Sequence, residues 1–131
     1  MAAQELRLVL TMKDFDRAIA FYRDTLGLRQ LAAWENGGGH SVLLDGGRAT
    51  LEIFDEAQAR AIDEIEVGRR VAGQVRVAIQ TTDAASAATD LARMGAEILG
   101  GPVITPWGDR NVRISDPEGI QLTLFTTAGD V

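Results

Sequence analysis

The strongest constraint on the fold is an internal repeat, in which a strand pattern and a helix start recur after 69 residues. Residues 6–12 (Leu-Arg-Leu-Val-Leu-Thr-Met) and 75–81 (Val-Arg-Val-Ala-Ile-Gln-Thr) both have the composition of strands. Asp14 and Asp83 follow at the same interval, and each carboxylate can accept from the free backbone N–H groups of a helix start. Two strand-then-helix units in equal phase predict a duplicated architecture.

Each predicted helix has one apolar stripe and stops at a glycine. The stripes recur at helical spacing, with Phe15, Ala18, Ile19, Tyr22 and Leu26 in the first helix and Ala84, Ala87, Ala88, Leu91 and Met94 in the second. Gly27 and Gly95 stand where a residue in the left-handed conformation commonly ends a helix. The sequence therefore predicts two amphipathic helices.

Short β-type segments follow each helix and complete a β-α-β-β-β pattern twice. They cover about residues 28–34, 40–44 and 49–54 in the first half and 97–99, 110–115 and 120–126 in the second. Asp116-Pro117-Glu118-Gly119 is a strong turn signal. The sequence predicts an α+β fold with a first module at residues 1–55, an acidic connector at 56–73 and a second module at 74–131.

The connector carries an acidic run followed by two arginines. With Asp55 just before it, its charged residues include Glu56, Asp63, Glu64, Glu66, Arg69 and Arg70. We expect a short exposed helix near residues 56–65 and then a loop, so that the segment is a solvated linker. An acidic face that binds a partner is the alternative interpretation.

The charge and the cysteine count exclude several classes of protein. The formal net charge is −6, whereas a nucleic-acid-binding surface needs a basic face. The chain has no cysteine, which excludes disulfides and thiolate metal sites and is typical of a reducing compartment, so we expect a cytoplasmic location. We see no signal peptide, and no apolar run approaches the roughly 20 residues of a membrane helix.

Three stretches resemble the vicinal oxygen chelate superfamily, which includes glyoxalase I, extradiol dioxygenases, methylmalonyl-CoA epimerase and the bleomycin-resistance proteins. They are Lys-Asp-Phe-Asp-Arg-Ala-Ile-Ala-Phe-Tyr-Arg-Asp-Thr-Leu-Gly-Leu at residues 13–28, Leu-Glu-Ile-Phe at 51–54, and Asp-Pro-Glu-Gly-Ile-Gln-Leu-Thr-Leu-Phe at 116–125. The resemblance implies two βαβββ modules that form curved mixed sheets around a shared cavity. It also implies a small-molecule ligand and a homodimer.

The resemblance places the family's four metal-ligand positions on Arg7, Glu52, Arg76 and Thr123. Only Glu52 is an ordinary ligand type, because a guanidinium stays protonated and offers no lone pair. One carboxylate and one hydroxyl do not make a usual zinc, nickel or iron site. His40 is the only histidine, so a two-histidine facial triad is also excluded. We therefore expect no metal cofactor, with a divalent metal at an atypical site as the less favoured alternative.

Strand alternation indicates which side chains face the cavity. The predicted ligand-contacting set from the strands is Arg7, Glu52, Phe54, Arg76, Asn111, Arg113 and Thr123. In one interpretation Arg7 or Arg76 simply pairs with Glu52, since an unpaired buried carboxylate is costly. In the other, these groups present donors to a ligand carboxylate, phosphate or enolate oxygen. Three arginines against one glutamate would make the cavity net positive.

Two tryptophans and one carboxylate complete the candidate site. The resemblance places Trp107 in a loop near the cavity mouth, and Trp34 ends a predicted strand, so either ring could stack on a flat ligand or simply pack at a module edge. Glu52 is a weak candidate for a general base, which would need a raised pKa. Neighbouring arginines would act in the opposite direction.

Three functions remain open. The first is a metal-free protein that binds a small anionic or flat aromatic, antibiotic-like molecule, similar to the bleomycin-resistance branch. The second is a lyase, isomerase or oxidoreductase of the glyoxalase, dioxygenase or epimerase type with an atypical metal site or none. The third is a non-catalytic regulatory or interaction module.

Overall fold

The structure, a computed structural model, describes residues 2–129 as one eight-stranded sheet with three helices. The strands are β1 (Glu5–Thr11), β2 (Arg29–Asn36), β3 (Gly39–Asp45), β4 (Thr50–Phe54), β5 (Val75–Gln80), β6 (Glu97–Ile104), β7 (Arg110–Ser115) and β8 (Gln121–Thr126). The helices are α1 (Phe15–Ile19), which continues as a π-helical segment (Ala20–Thr25), α2 (Glu56–Glu66) and α3 (Ala84–Arg93). The α+β fold and the two β-α-β-β-β units predicted from the repeat are confirmed.

The two units join edge to edge within the chain. The sheet order is β2-β3-β4-β1-β5-β8-β7-β6, so that β1 and β5 lie at the centre as an antiparallel pair. Leu8 pairs with Val77, and these two residues are also equivalent in the 69-residue repeat. A local pseudo-twofold axis therefore passes between them and relates one module to the other.

The helices begin and end at the residues that the sequence marks. Asp14 accepts from the backbone N–H of Arg17 at 3.1 Å, and Asp83 accepts from that of Ser86 at 3.1 Å. Gly27 and Gly95 have φ values of 87° and 103°, which a residue with a side chain rarely adopts. The predicted stripes fail at their last residues, because the side chains of Leu26 and Met94 are exposed. Leu26 follows a π-helical segment, whose wider turn changes the helical spacing, and Met94 lies at the C-cap of α3.

Helices α1 and α3 pack on one face of the sheet, here called the outer face. Under α1 the buried core contains Ala18, Ile19, Val42, Leu44 and Ile53. Under α3 it contains Ala84, Ala87, Ala88, Val112, Ile114 and Leu124. These residues alternate along the strands with the predicted cavity-facing set, which leaves the opposite, inner face for the site.

Helix α2 lies on the inner face, and this corrects the prediction of an exposed helix in a solvated linker. Its residues Gln58, Ala59, Ile62, Asp63 and Glu66 are buried. Ala59 and Ile62 pack on a third apolar cluster that includes Val9, Phe54, Ala78 and Phe125. The helix fills part of the space that the sequence assigned to the cavity, because its apolar stripe needs a buried surface and both outer positions are taken by α1 and α3.

No helix within residues 2–129 is long and apolar enough to cross a membrane.

Candidate functional site

The inner face holds a cavity of about 340 Å³ between the central strands and α2. Both modules and α2 contribute to its wall. The lining residues are Arg7, Val9, Trp34, Asn36, Ser41, Glu52, Phe54, Gln58, Ile62, Glu66, Arg76, Ala78, Trp107, Asp109, Asn111, Thr123, Phe125 and Thr127. A volume of this size accommodates a small organic molecule.

The structure brings eight of the nine predicted site residues to this cavity, all except Arg113. Strand register explains part of this arrangement, since Val9 pairs with Glu52 on one side and with Arg76 on the other. Glu52 and Arg76 therefore face each other across β1, with Val9 between them. Their Cα atoms are separated by two strand spacings, or about 10 Å.

Arg113 is buried behind the cavity wall. Its guanidinium donates to Glu66 at 3.1 Å, to Asp63 at 3.0 Å and to Gln121 at 2.9 Å. The residue has 1% of its surface exposed. This arrangement disfavours the predicted contact between Arg113 and a ligand.

Two carboxylates from α2 neutralise the buried arginines. Asp63 Oδ1 accepts from Arg76 Nη1 at 2.8 Å and from Arg113 Nη2 at 3.0 Å. Glu66 accepts from Arg113, from Asn111 Nδ2 at 3.0 Å and from Thr123 Oγ1 at 3.1 Å. The expectation of a net positive cavity is wrong, because it counted no charges from the connector.

Asp63 is the centre of this network. Its second oxygen accepts from the backbone N–H groups of Val71 and Ala72 at 2.8 and 2.9 Å and from Arg70 at 3.0 Å. Burial opposes ionisation, but Arg76, these two backbone donors and Arg113 lower the pKa of Asp63 to about 2. Asp63 is therefore ionised at any physiological pH and fixes the position of the Arg76 side chain.

Glu52 is the least compensated acid of the cavity. Within the described residues, Glu52 Oε1 lies 3.8 Å from Arg7 Nη1, which is long for an ion pair. Arg76 does not compensate it, because its guanidinium pairs with Asp63 instead. Burial raises the pKa of Glu52 to about 7, although Arg7 and Arg76 act in the opposite direction. The expectation that neighbouring arginines would keep this pKa low is thus reversed, since desolvation is the larger effect.

Several polar atoms around the cavity have no hydrogen-bond partner within the described residues. They are Ser41 Oγ, Gln58 Oε1, Asn111 Oδ1, and Nε and Nη2 of Arg76. Buried polar groups in folded proteins are nearly always satisfied, so each unsatisfied atom needs an explanation. Ordered water or a polar ligand in this cavity would supply the missing partners.

Aromatic rings surround the same space. Trp34 and Trp107 line it and are exposed, at 38% and 37%, and Trp107 Nε1 donates to Asp109 Oδ2 at 3.0 Å. The Arg7 guanidinium lies 4.8 Å from the centre of the Phe125 ring, and that of Arg76 lies 5.2 Å from the centre of the Phe54 ring. Both arginines are held over aromatic faces in the pseudo-symmetric halves of the cavity.

The residues at the family's four metal positions do not fit a metal ion. Two are guanidinium groups without a lone pair. Thr123 Oγ1 is engaged with Glu66 and Arg113. This leaves Glu52 as one carboxylate ligand, and residues 2–129 contain no group of three or more His, Cys, Asp or Glu side chains arranged to hold a metal.

The sequence did not indicate the contribution of α2. Gln58, Ala59, Ile62, Asp63 and Glu66 recur at helical spacing on one face, so the periodicity was a usable signal for a buried face. It could not show that the acids on this face were buried. That depends on the positions of Arg76 and Arg113, which lie far away along the chain.

Comparison with known proteins agrees with this geometry. A methylmalonyl-CoA epimerase from Streptomyces coelicolor, solved with 2-nitronate-propionyl-CoA, superposes with a TM-score of 0.69 at 23% identity and covers 97% of this chain and 99% of its own. A hypothetical protein from Bacillus halodurans superposes with a TM-score of 0.73 at 13% identity, covering 97% and 96%. These TM-scores show a shared fold, and at these identities they show the fold alone.

Among curated proteins none matches the sequence significantly. Residues 6–124, however, match the family described as the Glyoxalase/Bleomycin resistance protein/Dioxygenase superfamily. The match covers nearly the whole chain and agrees with the paired βαβββ modules and with the motifs read from the sequence. The chain therefore belongs to the Glyoxalase/Bleomycin resistance protein/Dioxygenase superfamily.

Proposed function

We propose that this protein binds a small organic molecule in the inner-face cavity without the help of a metal ion. The observation that carries the proposal is the set of buried, unpartnered polar atoms of Ser41, Gln58, Arg76 and Asn111 around one cavity. A ligand with oxygen or nitrogen groups would complete their hydrogen bonds. The free energy of each unsatisfied buried group, about 1–3 kcal/mol, would then contribute to binding.

The shape and the aromatic lining favour a flat, partly apolar ligand, which includes antibiotic-like compounds. Trp34 and Trp107 stand at the mouth, whereas Val9, Phe54 and Phe125 form the apolar floor. A flat ligand that stacks on these rings would bury apolar area in a favourable geometry. The polar atoms would then fix its orientation.

Intrinsic fluorescence tests this proposal directly, because the chain has two tryptophans and both line the cavity. We expect saturable changes in emission when the protein is titrated with a panel of flat aromatic acids, amides and antibiotics. Trp34→Phe and Trp107→Phe should each remove part of the response. A panel without any saturable response would contradict the proposal and favour a regulatory or interaction module.

The absence of a required metal is tested by metal analysis of the purified protein. Since Glu52 is the remaining carboxylate at the family's ligand positions, a functional metal would depend on it. We expect no stoichiometric divalent metal in the wild-type protein. Stoichiometric metal that disappears in Glu52→Ala would show that the metal-free proposal is wrong.

A second candidate function is proton transfer by Glu52, as in an isomerase, epimerase or lyase. The specific observation is that burial raises the pKa of Glu52 to about 7, where a carboxyl group exchanges protons readily. The resemblance in fold to methylmalonyl-CoA epimerase is compatible with such chemistry. Nuclear magnetic resonance in deuterated water tests it, because a bound carbonyl compound should exchange its α-hydrogen with wild-type protein and not with Glu52→Gln.

The homodimer and the cytoplasmic location remain proposals. The dimer would use the outer face between α1 and α3, where the apolar side chains of Leu6, Leu8 and Val75 are exposed.

A further inference from the structure

We propose that Arg76 recognises a ligand carboxylate with its Nε and Nη2 groups, and that Asp63 of α2 positions it for this task. The inference rests on the proposed function, that is, on binding in the inner-face cavity. It adds the chemical class of the ligand and names the residue that selects it.

The hydrogen bonds of Arg76 are unevenly distributed over its guanidinium group. Nη1 donates to Asp63 Oδ1 at 2.8 Å, whereas Nε and Nη2 are buried without a partner among the described residues. The residue has 3% of its surface exposed and lines the cavity. A buried guanidinium with two free donors is costly, so water or a ligand in the cavity must meet them.

The two free nitrogens form one edge of the planar guanidinium. Their N–H bonds run nearly parallel, which is the geometry that a carboxylate accepts with both oxygens at once. A carbonyl or hydroxyl oxygen would satisfy one of these donors, but a carboxylate would satisfy both. The distribution of free donors therefore selects a planar, two-oxygen anion over a neutral ligand.

Asp63 and Phe54 fix the plane of this edge. Asp63 holds the opposite side of the guanidinium and is itself held by Arg113 and by two backbone N–H groups. The Phe54 ring lies 5.2 Å from the guanidinium carbon. With its anchor immobile, Arg76 presents the two donors at little entropic cost on binding.

The pseudo-symmetric residue Arg7 lacks these properties. Its Nε donates to Glu5 at 3.1 Å, and its Nη1 lies 3.8 Å from Glu52. Its side chain is also more exposed, at 18% against 3% for Arg76. The two arginines thus differ in the available donor edge, which assigns carboxylate recognition to the second module.

Calorimetry with matched acids and amides tests the inference. Benzoate, phenylacetate and naphthoate are each titrated into wild-type protein next to benzamide, phenylacetamide and naphthamide. We expect at least one acid to bind more tightly than its amide. Arg76→Gln should weaken that acid roughly tenfold to hundredfold and leave the amides nearly unchanged, since hydrogen bonds to charged groups contribute about 1.5–3 kcal/mol.

Arg76→Lys and Arg93→Gln are the control variants. Lysine keeps the charge but not the paired donors, so Arg76→Lys should recover only part of the affinity. Arg93 is exposed on α3, pairs with Asp90 and does not line the cavity. Arg93→Gln makes the same change in net charge and should leave the affinities for acids and amides unchanged.

A second measurement uses the wild-type protein and does not depend on the folding of a variant. The Nε–H resonance of Arg76 should shift and exchange more slowly with water when the acid is added. If amides and acids bind equally well and this resonance is unmoved, the carboxylate inference fails while the proposed function stands. If neither acids nor amides bind, the carboxylate inference fails, and the proposed function fails with it when the wider fluorescence panel also gives no saturable response.

Discussion

Glu52 and Thr123 are equivalent positions in the two modules, and they show how strongly the surroundings of a residue decide its chemistry. Each lies on the last strand of its module, two residues before a phenylalanine of the cavity floor. Thr123 is engaged by Glu66 from α2, whereas Glu52 receives no comparable partner within residues 2–129. The carboxyl group therefore remains available, and its burial raises its pKa to about 7.

The first prediction concerns stability and pH in Glu52→Gln. In the unfolded chain Glu52 loses its proton near its ordinary pKa of 4.5, whereas the folded protein keeps it until about 7. The folded state thus binds more protons between these values, and the free energy of unfolding falls as pH rises through this window. Between pH 4.5 and pH 7 the difference in unfolding free energy between the two proteins should therefore change by up to about 3 kcal/mol in favour of the variant.

Denaturant unfolding of both proteins across this window measures the difference. Contributions from the other carboxyl groups cancel between the two proteins, because only one position differs. A difference in unfolding free energy that stays constant with pH would show that Glu52 titrates normally.

The second prediction concerns Asp63→Asn. The change removes the negative charge that two buried guanidinium groups share, and it replaces one acceptor oxygen by a donor. We expect a loss of about 3–5 kcal/mol in the free energy of unfolding. Asp90→Asn, in an exposed pair with Arg93, should lose less than about 1 kcal/mol. Similar losses in both variants would contradict the central place of Asp63.

For individual residues, the sequence predicted the face of the sheet on which a side chain lies better than it predicted the hydrogen-bond partner of that side chain. Alternation along the strands placed Arg7, Glu52 and Arg76 correctly on the inner face, because side chains of a strand alternate wherever it runs. The pairing of Arg76 with Asp63 joins different elements and depends on where α2 lies. No local pattern contains that information.

Among the secondary-structure elements, α2 is the one that ties the modules together. Its first turn lies against Gly39 in β3, and its last turn lies against Gly100 in β6, near opposite ends of the sheet. Both glycines allow the backbone of the helix to approach closely. A segment predicted as a linker is therefore a bridge across the inner face and one wall of the site.

The third prediction concerns these two glycines. A Cβ at Gly39 would lie 2.7 Å from the Ala57 carbonyl carbon and still nearer to Gln58, and one at Gly100 would lie 3.0 Å from the Val67 Cα. Since the obstacles are backbone atoms, Gly39→Ala and Gly100→Ala should displace α2 and lower stability by about 1–3 kcal/mol or more.

Hydrogen exchange locates the effect of these substitutions. Protection should fall in residues 56–66 and persist in α3, which lies on the other face. Gly73→Ala is the control, because a Cβ there meets nothing within 4 Å. If Gly39→Ala and Gly100→Ala are as benign as this control, α2 does not rest on these positions.

The elements themselves were largely readable from the sequence, for identifiable reasons. Asp14, Asp83, Gly27 and Gly95 mark helix ends through local geometry, and all four do so in the structure. The exposed Leu26 could not be foreseen, because a π-helical segment changes the spacing without a clear sequence signal. Long-range packing decided the rest, as with the buried face of α2.

At the scale of the whole molecule, the pseudo-twofold axis organises both faces of the sheet. On the inner face it relates Arg7 to Arg76 and Phe54 to Phe125, while α2 breaks the symmetry and makes one half of the cavity different from the other. On the outer face it passes between Leu8 and Val77, where neither α1 nor α3 covers the strands. Leu6, Leu8 and Val75 are exposed there, so an apolar patch lies at the centre of a symmetric surface.

The last prediction follows from that patch, whose occupant we propose to be a second copy of the chain. A surface with its own twofold arrangement is self-complementary when another copy is rotated onto it, and most homo-oligomers form through such isologous contacts. Light scattering after size-exclusion chromatography should give twice the chain mass of 14.1 kDa.

Leu8→Glu should shift the protein to the monomer, because it places a charge at the centre of the apolar contact. Leu31→Glu adds the same charge at an exposed leucine of β2, at the far edge of the sheet, and should leave the dimer intact. A monomeric wild-type protein, or a dimer that survives Leu8→Glu, would show that two copies do not associate through this face.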